Sequence, residues 1–196
     1  MVWNFKNLSE FIDFLDEKGE VVHISESVSS ELEITEIANR VILNQGPALK
    51  FENVLGTDIP IVVNLFGTHQ RVAWALGVES IEEQSDRVRT ILDMVQSPPK
   101  GFVGKLNSLF DLAAVSRTQP KIVQNAPVQE VIIEGEQATL DFLPAIKCWP
   151  MDAGKYITFP LVISKDPITF KRNVGTYRMQ IFDGKTAGMH WQTHKG

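Results

Sequence analysis

Cysteine is nearly absent from this sequence. Cys148 is the single cysteine among 196 residues, which excludes an internal disulfide framework and a multi-cysteine metal site. A lone cysteine is most often a small buried hydrophobe, and we favour that interpretation of Cys148 over a reactive nucleophile. The low cysteine content fits a reducing compartment.

Positive charge is also scarce. Acidic residues outnumber lysine and arginine by 24 to 19, the formal net charge is -5, and no basic run occurs. Because a nucleic-acid surface needs clustered Lys and Arg, nucleic acid is not an expected partner. The sequence has no apolar run long enough to span a membrane, and its first residues do not have the pattern of a signal peptide. We therefore expect a cytoplasmic protein.

The signature motifs of the common enzyme classes are missing as well. The chain has no Gly-x-Gly-x-x-Gly after a strand, no Gly-x-x-x-x-Gly-Lys-Ser/Thr, no His-Glu-x-x-His and no Gly-x-Ser-x-Gly. His190 and His194 are four residues apart. On a strand, at ~3.3 Å per residue, they would lie about 13 Å apart, too far to chelate one ion.

What is present is ordinary for a folded protein. A content of 43% hydrophobic and 22% charged residues suffices for one large domain or two small ones. Helices are predicted to begin near residues 7, 30, 71, 80 and 105, and strands at 20–24, 48–51 and 61–66, the last of them interior. This alternation predicts an α/β domain over residues 1–120, with helices covering a small sheet.

The pattern changes after Gln119-Pro120, where β-prone segments separated by Pro and Gly replace the helical stripes. Strands are predicted at 128–133 and 157–163, followed by a terminal hairpin, so residues 121–196 form a second domain that resembles part of a barrel or sandwich. Pro160 lies inside the middle strand and favours an edge or bulge position there.

The terminal hairpin carries most of the candidate chemistry. Asp183-Gly184 would supply a turn with positive φ, and both flanks, from Asn173 onward, alternate with period two. Amide, imidazole and guanidinium groups on one face suit an anionic ligand better than the lysine and glutamate of an ordinary solvent face. We expect this polar face to line a concave site, with a plain solvent-facing sheet as the alternative. The face consists of Thr176, Arg178, Gln180, His190 and Gln192.

Five short motifs in order point to a family. They are LEITEIANR at 32–40, GPALKFEN at 46–53, NLFG at 64–67 followed by RVA at 71–73, CWP at 148–150 and NVGTYR at 173–178. With these motifs the chain resembles, over essentially its whole length, the UbiD-type prenylated-flavin decarboxylases. That family includes the 3-polyprenyl-4-hydroxybenzoate carboxy-lyases of ubiquinone synthesis.

The resemblance implies an α/β domain followed by a split β-barrel that holds prenylated FMN with a divalent metal, usually Mn2+, and often K+. It implies reversible non-oxidative decarboxylation of an aromatic or α,β-unsaturated carboxylic acid, such as 3-polyprenyl-4-hydroxybenzoate. It further implies a flavin prenyltransferase as cofactor supplier, a homo-oligomeric full-length form, and a location at the membrane periphery if the substrate is polyprenylated.

The family's site residues carry over by motif. Asn173 resembles the metal-binding asparagine, and Arg178 the catalytic arginine that orients the substrate carboxylate with a bidentate fork. Some relatives have a histidine metal ligand where Met189 stands here, which leaves metal binding by His190 open. The cofactor-contacting residues implied are Thr176, Tyr177, Arg178, His190, Trp191, Gln192, Lys195 and Gly196.

Family chains are far longer than this one. The resemblance places a metal-binding glutamate, the proton donor and an oligomer-building domain beyond Gly196. We therefore expect the chain to be an incomplete portion of the decarboxylase, inactive by itself. The alternative is a non-catalytic flavin-binding or assembly module derived from the same family.

Overall fold

The structure is a computed structural model that describes residues 3–96 and 122–191. Its mixture of helices and sheets confirms the predicted α/β class. In chain order the elements are α1 (Leu8–Glu17), β1 (Val21–Val28), α2 (Glu33–Leu43), β2 (Ala48–Val54), β3 (Ile61–Val63), α3 (His69–Ala75), α4 (Ile81–Gln96), β4 (Tyr156–Ile157), β5 (Leu161–Lys165), β6 (Arg172–Thr176), β7 (Met179–Asp183) and β8 (Thr186–Met189). Two short 3-10 helices lie at Pro127–Gln129 and Gly135–Gln137.

The chain divides into two compact units. One comprises Met1–Phe11 and Thr68–Ile132, and the other comprises Ile12–Gly67 and Ile133–Gly196. The second unit contains all the strands named above, while α3 and α4 belong to the first. The predicted domain boundary near residue 120 and the predicted helix at 105–115 lie outside the described residues.

The first sheet has the strand order β1-β2-β3, with β1 and β2 parallel and β3 antiparallel to β2. The helix α2 connects β1 to β2 and buries Ile34 and Ala38. Because parallel neighbours need a crossover, the helical stripe between two β-prone runs dictates this arrangement. The buried core cluster consists of Val28, Ile34, Leu49, Phe51, Val54 and Ile61.

The strand predicted at 61–66 is present as β3, but its predicted length and interior position are wrong. β3 ends at Val63 and lies at the end of the strand order. The next residue, Asn64, has a φ of 60°, and its amide nitrogen donates to the carbonyls of Gly46 and Pro47 at 3.0 and 2.8 Å. A positive φ turns the backbone out of the extended conformation, so the apolar run ends there.

Helix starts follow local capping. The Asn7 side chain accepts a hydrogen bond from the Glu10 N–H at 2.9 Å, as predicted for α1, and Ser80 caps α4 through the Glu83 N–H at 3.3 Å. α2 begins at Glu33, later than predicted, because Leu32 has a φ of 66°. The apolar residues of α4 are only partly buried, since Val88 is 46% exposed and Leu92 is 51% exposed.

Two predicted strands of the C-terminal half are corrected. Residues 128–133 form no strand, because Pro127 starts a 3-10 turn in which the Gln129 N–H donates to the Ala126 carbonyl at 2.9 Å. The run at 157–163 is divided into β4 and β5, which belong to different sheets, with Pro160 between them. A proline cannot donate to the ladder, so pairing changes at that residue.

An ion cluster lies on the outer side of the first sheet. His23 on β1 contacts Glu52 on β2 through Nδ1 at 2.8 Å and Asp16 on α1 through Nε2 at 3.3 Å, and Lys50 lies 3.4 Å from Glu52. The hydrogen bond to Glu52, supported by Asp16, raises the pKa of His23 above 6.5 against the opposing effect of desolvation. The imidazolium form therefore bridges two carboxylates.

We predict that His23→Gln destabilises the fold in a pH-dependent way. Because the folded-state pKa of His23 is raised, its contribution is fully present below about pH 6.5 and is lost as the pH rises through the folded value. The loss of Tm should be larger at about pH 6 than at about pH 8.5. Thermal unfolding at both values measures it, with the exposed His190→Gln as control, and an equal loss at both would contradict the prediction.

Candidate functional site

The candidate site lies where the chain leaves one sheet and enters another. β6 pairs with β5, whereas β7 pairs with β4 and β8. Tyr177 and Arg178 stand between β6 and β7 and belong to neither strand. The prediction of one continuous strand from Asn173 to Phe182 is therefore wrong, while the hairpin of β7 and β8 is confirmed.

The hairpin turn contains Gly184 as predicted, but the predicted reason for the glycine, a positive φ, is wrong. Asp183 pairs with Thr186, so Gly184 and Lys185 form the turn, and Gly184 is not among the residues with positive φ. A Cβ on Gly184 would instead lie 2.6 Å from the Asp141 carboxylate and closer still to the Thr139 hydroxyl. Close approach of these side chains, rather than a left-handed backbone, requires glycine here.

Arg178 forms a bidentate ion pair with Asp152. Its Nη1 donates to Oδ1 at 3.2 Å and its Nη2 to Oδ2 at 2.6 Å. The Asp152 side chain is 12% exposed and that of Arg178 is 37% exposed. Charge-assisted pairs of this geometry fix the plane of the guanidinium as well as its position.

Tyr156 packs against the same guanidinium. The Arg178 Cζ lies 3.6 Å from the centroid of the Tyr156 ring, and the Tyr156 hydroxyl donates to Gln180 Oε1 at 3.1 Å. β4 pairs with β7 so that Tyr156 lies opposite Gln180, which makes Arg178 its diagonal neighbour two residues earlier. The sheet register thus places an aromatic face beside the arginine.

A closed loop holds Asp152 in place. Ile146 and Tyr156 exchange two backbone hydrogen bonds, of 3.3 and 2.9 Å, at the base of the loop. Within the loop the Trp149 N–H donates to the Asp152 carboxylate at 3.2 Å, and the Asp152 N–H donates to the Trp149 carbonyl at 3.0 Å. The Asp152 carboxylate is therefore oriented by the backbone of its own loop, through the Trp149 N–H, as well as by Arg178.

These contacts shift the pKa of Asp152 and the pKa of Arg178 in the directions that keep both groups charged. The hydrogen bond from Arg178 lowers the pKa of Asp152, with further lowering from the backbone N–H groups of Trp149 and Cys148. The same hydrogen bond raises the pKa of Arg178. The pair therefore stays charged across the neutral range.

A second set of side chains joins the two flanks of the predicted hairpin. The Asn173 amide nitrogen donates to the Tyr177 hydroxyl at 3.1 Å. The Tyr177 ring meets the ring of Trp191 edge-on, with centroids 6.4 Å apart. Gly175 lies under Tyr177, because a Cβ there would stand 2.6 Å from the ring. Three of the predicted site residues are thus in direct contact.

The other predicted residues divide into two groups. Thr176 and His190 are exposed, and the His190 N–H donates to the Arg178 carbonyl at 3.2 Å. Arg178 and Gln180 are half-buried against Asp152 and Tyr156 instead of sharing a face with Thr176. Gln192, Lys195 and Gly196 lie outside the described residues, as does His194.

A cavity of about 290 Å³ lies in the same unit. Tyr156 contributes to its wall, while Arg178, Asn173 and Trp191 do not. Its lining is mostly apolar and consists of Ile61–Val63, residues 143–146 and residues 156–159. The prediction that the polar face itself lines a concave site stays a prediction.

Metal ligands are sparse. Among residues 3–96 and 122–191 no group of three His, Cys, Asp or Glu side chains could hold a metal ion. Asn173 offers one neutral amide oxygen, and divalent cations need several oxygen ligands, usually with carboxylates among them. The described residues therefore do not form a divalent-metal site by themselves.

Sequence comparison assigns the chain to a family. The model of the 3-octaprenyl-4-hydroxybenzoate carboxy-lyase N-terminal domain matches residues 12–90. The model of the Rift-related domain of the same carboxy-lyase, UbiD, matches residues 121–196. The chain belongs to the UbiD family.

Relatives of this UbiD-family chain are considerably longer. An uncharacterized protein of Archaeoglobus fulgidus is 45% identical over 191 residues, which are 97% of this chain and 38% of that protein. An uncharacterized protein of Aquifex aeolicus is 42% identical over 197 residues and is covered to 40%. The chain thus spans about two fifths of the length of these relatives.

Solved structures of UbiD-class enzymes share the fold. An evolved dimeric form of HmfF from Pelotomaculum thermopropionicum, in complex with prFMN, superposes with a TM-score of 0.75 at 26% identity, covering 96% of this chain and 39% of that chain. The vanillic acid decarboxylase of Sedimentibacter hydroxybenzoicus in its open form superposes with a TM-score of 0.71 at 26% identity, covering 96% and 36%.

Sequence reasoning missed Asp152 and Tyr156. Both lie just after the CWP motif at 148–150, which contributed to the family assignment but received no role. The signal available was an aspartate shortly after Trp-Pro, typical of a turn that a carboxylate closes. Nothing in the spacing between residues 152 and 178 indicates that they pair, because the contact depends on the register of two sheets.

We predict that Gly175→Ala displaces the Tyr177 ring, since rings are rigid and the new Cβ would overlap it. The hydrogen bond to Asn173 and the contact with Trp191 should both be lost, at a cost of about 1–3 kcal/mol in the free energy of unfolding. The chain has two tyrosines, so ring NMR signals of Tyr177 and Tyr156 are easily assigned.

The matched control is Gly154→Ala, where the nearest atoms would be an ordinary 3.7 Å away. The control should leave the Tyr177 signals in place. Unchanged Tyr177 signals in Gly175→Ala would show that the ring does not lie against this glycine.

Proposed function

We propose that this chain forms the amino-terminal portion of a prenylated-FMN-dependent decarboxylase that acts reversibly on an aromatic or α,β-unsaturated carboxylic acid. Membership in the UbiD family and the likeness to HmfF in complex with prFMN support the reaction class and a flavin cofactor. The likeness to vanillic acid decarboxylase supports a small carboxylic acid as substrate.

The observation that carries the proposal is the position of Arg178. Its guanidinium is held by a carboxylate on one edge and an aromatic ring on one face, and the Asn173–Tyr177–Trp191 cluster begins at the adjacent residue. An oriented arginine beside exposed aromatic surface is the arrangement that a planar cofactor and an anionic acid require.

The residues present fit the flavin. Trp191 is 61% exposed and offers ring surface, Thr176 and His190 are exposed polar groups, and Arg178 supplies a fixed cation. We assign these residues, with Tyr177, to cofactor binding. The prenylated flavin would supply an electron sink for the electron pair that remains when the carboxylate leaves as CO2. In this proposal Arg178 orients the substrate carboxylate.

We place one ligand of the proposed Mn2+ site at Asn173. Its amide nitrogen is engaged by Tyr177, which directs the amide oxygen away from that hydroxyl. Because the described residues hold no group of three His, Cys, Asp or Glu side chains that could bind a metal ion, we propose that further ligands of the Mn2+ site, and the K+ contacts, come from elsewhere in the enzyme.

The proposed enzyme needs more polypeptide than these residues. We propose that the proton donor and the remaining metal ligands belong to the part of the longer relatives that this chain does not cover. A flavin prenyltransferase as cofactor supplier and a homo-oligomeric assembly complete the proposal. No helix among the described residues is long and apolar enough to cross a membrane.

We predict that Arg178→Lys, in the enzyme that contains this chain, lowers kcat/KM for the acid by about 100-fold with little change in Tm. Lysine keeps the charge but cannot form the planar bidentate pair with Asp152, and misplacing an orienting group by about 1 Å has effects of this size. Initial rates of CO2 release and thermal unfolding measure the two quantities.

The matched control is Arg172→Lys, an exposed arginine on β6 with no carboxylate among its described contacts. It should retain activity. Full activity in Arg178→Lys, or equal losses of stability and activity, would count against the assigned role.

We further predict that the 196-residue chain alone neither retains prenylated FMN stoichiometrically nor decarboxylates. Its described residues contain no group of three His, Cys, Asp or Glu side chains that could hold a metal ion, and the proposed proton donor belongs to the part of the enzyme that this chain does not cover. General acid catalysis contributes ~10²–10⁴ in rate. Gel filtration with flavin and Mn2+, followed by CO2 assays on a panel of acids, measures both. Flavin retention without turnover would favour a non-catalytic flavin-binding module.

A further inference from the structure

Asp152 has no role in the sites assigned so far, yet it contacts Arg178 more closely than any other described side chain does. Its two carboxylate oxygens accept from Nη1 and Nη2 of Arg178. The carboxylate is mostly buried, at 12% exposure. Burying most of a carboxylate costs free energy unless the charge is paired. The position of Asp152 therefore favours a lasting ion pair with a cation.

The geometry of the pair leaves part of the arginine free to act. A guanidinium has five N–H donors, and the end-on pair with Asp152 uses one on Nη1 and one on Nη2. No hydrogen bond of the Nε edge is present among residues 3–96 and 122–191, and this edge can form a second bidentate pair with another carboxylate. Tyr156 covers one face, which fixes the direction of that edge.

The support of Asp152 is independent of Arg178. The Trp149 N–H donates to its carboxylate, and the backbone bonds between Ile146 and Tyr156 close the loop that carries it. Tyr156 is thus part of both the loop closure and the aromatic contact. The carboxylate is thus held by contacts that do not involve the arginine, which is what a positioning group requires.

We propose that Asp152 is the positioning residue for Arg178: it holds the guanidinium end-on against Tyr156, so that the Nε edge is presented to the substrate carboxylate. This inference rests on the proposed function for its catalytic consequence, while the immobilisation of Arg178 is a property of the chain itself. The two parts are tested separately.

The first test is NMR of the guanidinium in the 196-residue chain. The Nη groups of an arginine held by a bidentate carboxylate rotate slowly and give separate 15N–1H signals. Those of Arg178, assigned by their loss in Arg178→Lys, should be resolved in the wild type and averaged in Asp152→Asn. Resolved Nη signals in Asp152→Asn would overturn the proposal.

Asp166→Asn is the matched control. Asp166 also closes a turn, accepting from the N–H groups of Ile168 and Thr169 at 2.9 and 2.6 Å, but it contacts no arginine among the described residues. Its substitution should leave the Arg178 signals unchanged. If Asp166→Asn averages them too, the effect is a general loosening of the fold and the proposal fails.

The second test is the split between kcat and KM in the flavin-loaded enzyme that contains this chain. Asp152→Asn should lower kcat by about 10- to 100-fold without raising KM, and Asp152→Glu should recover part of kcat. An unchanged kcat with a lower KM would overturn the proposal, because Asp152 would then merely compete with the substrate carboxylate for Arg178.

The two tests also separate this inference from the proposed function. If the wild-type enzyme turns over no acid but Asp152→Asn frees the guanidinium, the proposed reaction fails and the positioning of Arg178 stands. If the wild type turns over and Asp152→Asn matches it in both kcat and NMR signals, the positioning role fails alone.

Discussion

The ion pair between Asp152 and Arg178 fixes the segment between the two C-terminal sheets, and the geometry of the candidate site depends on it. It joins the loop after the CWP motif to the residue just before β7, 26 positions later in the chain. Both side chains are partly buried, at 37% exposure for Arg178 and 12% for Asp152, so the pair has a partial desolvation cost. Here two hydrogen bonds, two backbone N–H donors to the carboxylate and an aromatic face act together. Together these contacts fix the position and plane of the Arg178 guanidinium.

The break between β6 and β7 makes the pair possible. If the strand had continued through Tyr177 and Arg178, side chains would have alternated and Arg178 would have shared a face with Thr176. Because the chain changes sheets at this point, Tyr177 turns back over Gly175 toward Asn173, while Arg178 turns to the loop of Asp152. One irregularity thus creates two neighbouring clusters, one aromatic and one ionic.

The sequence predicted what local periodicity and local hydrogen bonds determine. The helices α1 and α4 begin at their predicted caps, and the hairpin of β7 and β8 lies where alternation places it. Predictions that needed nonlocal information were wrong. The strand predicted at 61–66 ends early where the Asn64 side-chain amide donates hydrogen bonds to the carbonyls of Gly46 and Pro47. A Cβ at Gly184 would approach the side chains of residues 139 and 141 too closely.

The candidate site shows the same division. Motif resemblance identified Asn173, Tyr177 and Arg178, and their residue types suit the proposed chemistry. It did not identify Asp152, because an aspartate in a turn after Trp-Pro satisfies local rules without any partner. The pairing of β4 with β7, in which Tyr156 lies opposite Gln180, brings that loop beside Arg178. The residues that support Arg178 are determined by the register of β4 against β7. No pattern in a single sequence predicts that register.

Pairing an arginine internally also suits the proposed reaction for an energetic reason. In a decarboxylation the substrate carboxylate loses its charge as CO2 forms, so a strong ion pair to that group stabilises the ground state more than the transition state and slows the step. A lone guanidinium in a half-buried site would form such a pair. When Asp152 already balances the charge of Arg178, the remaining N–H donors can still orient the carboxylate through directional hydrogen bonds, while the net electrostatic attraction is reduced. Orientation is retained and excess ground-state binding is avoided, which is the combination that a decarboxylase requires from its arginine.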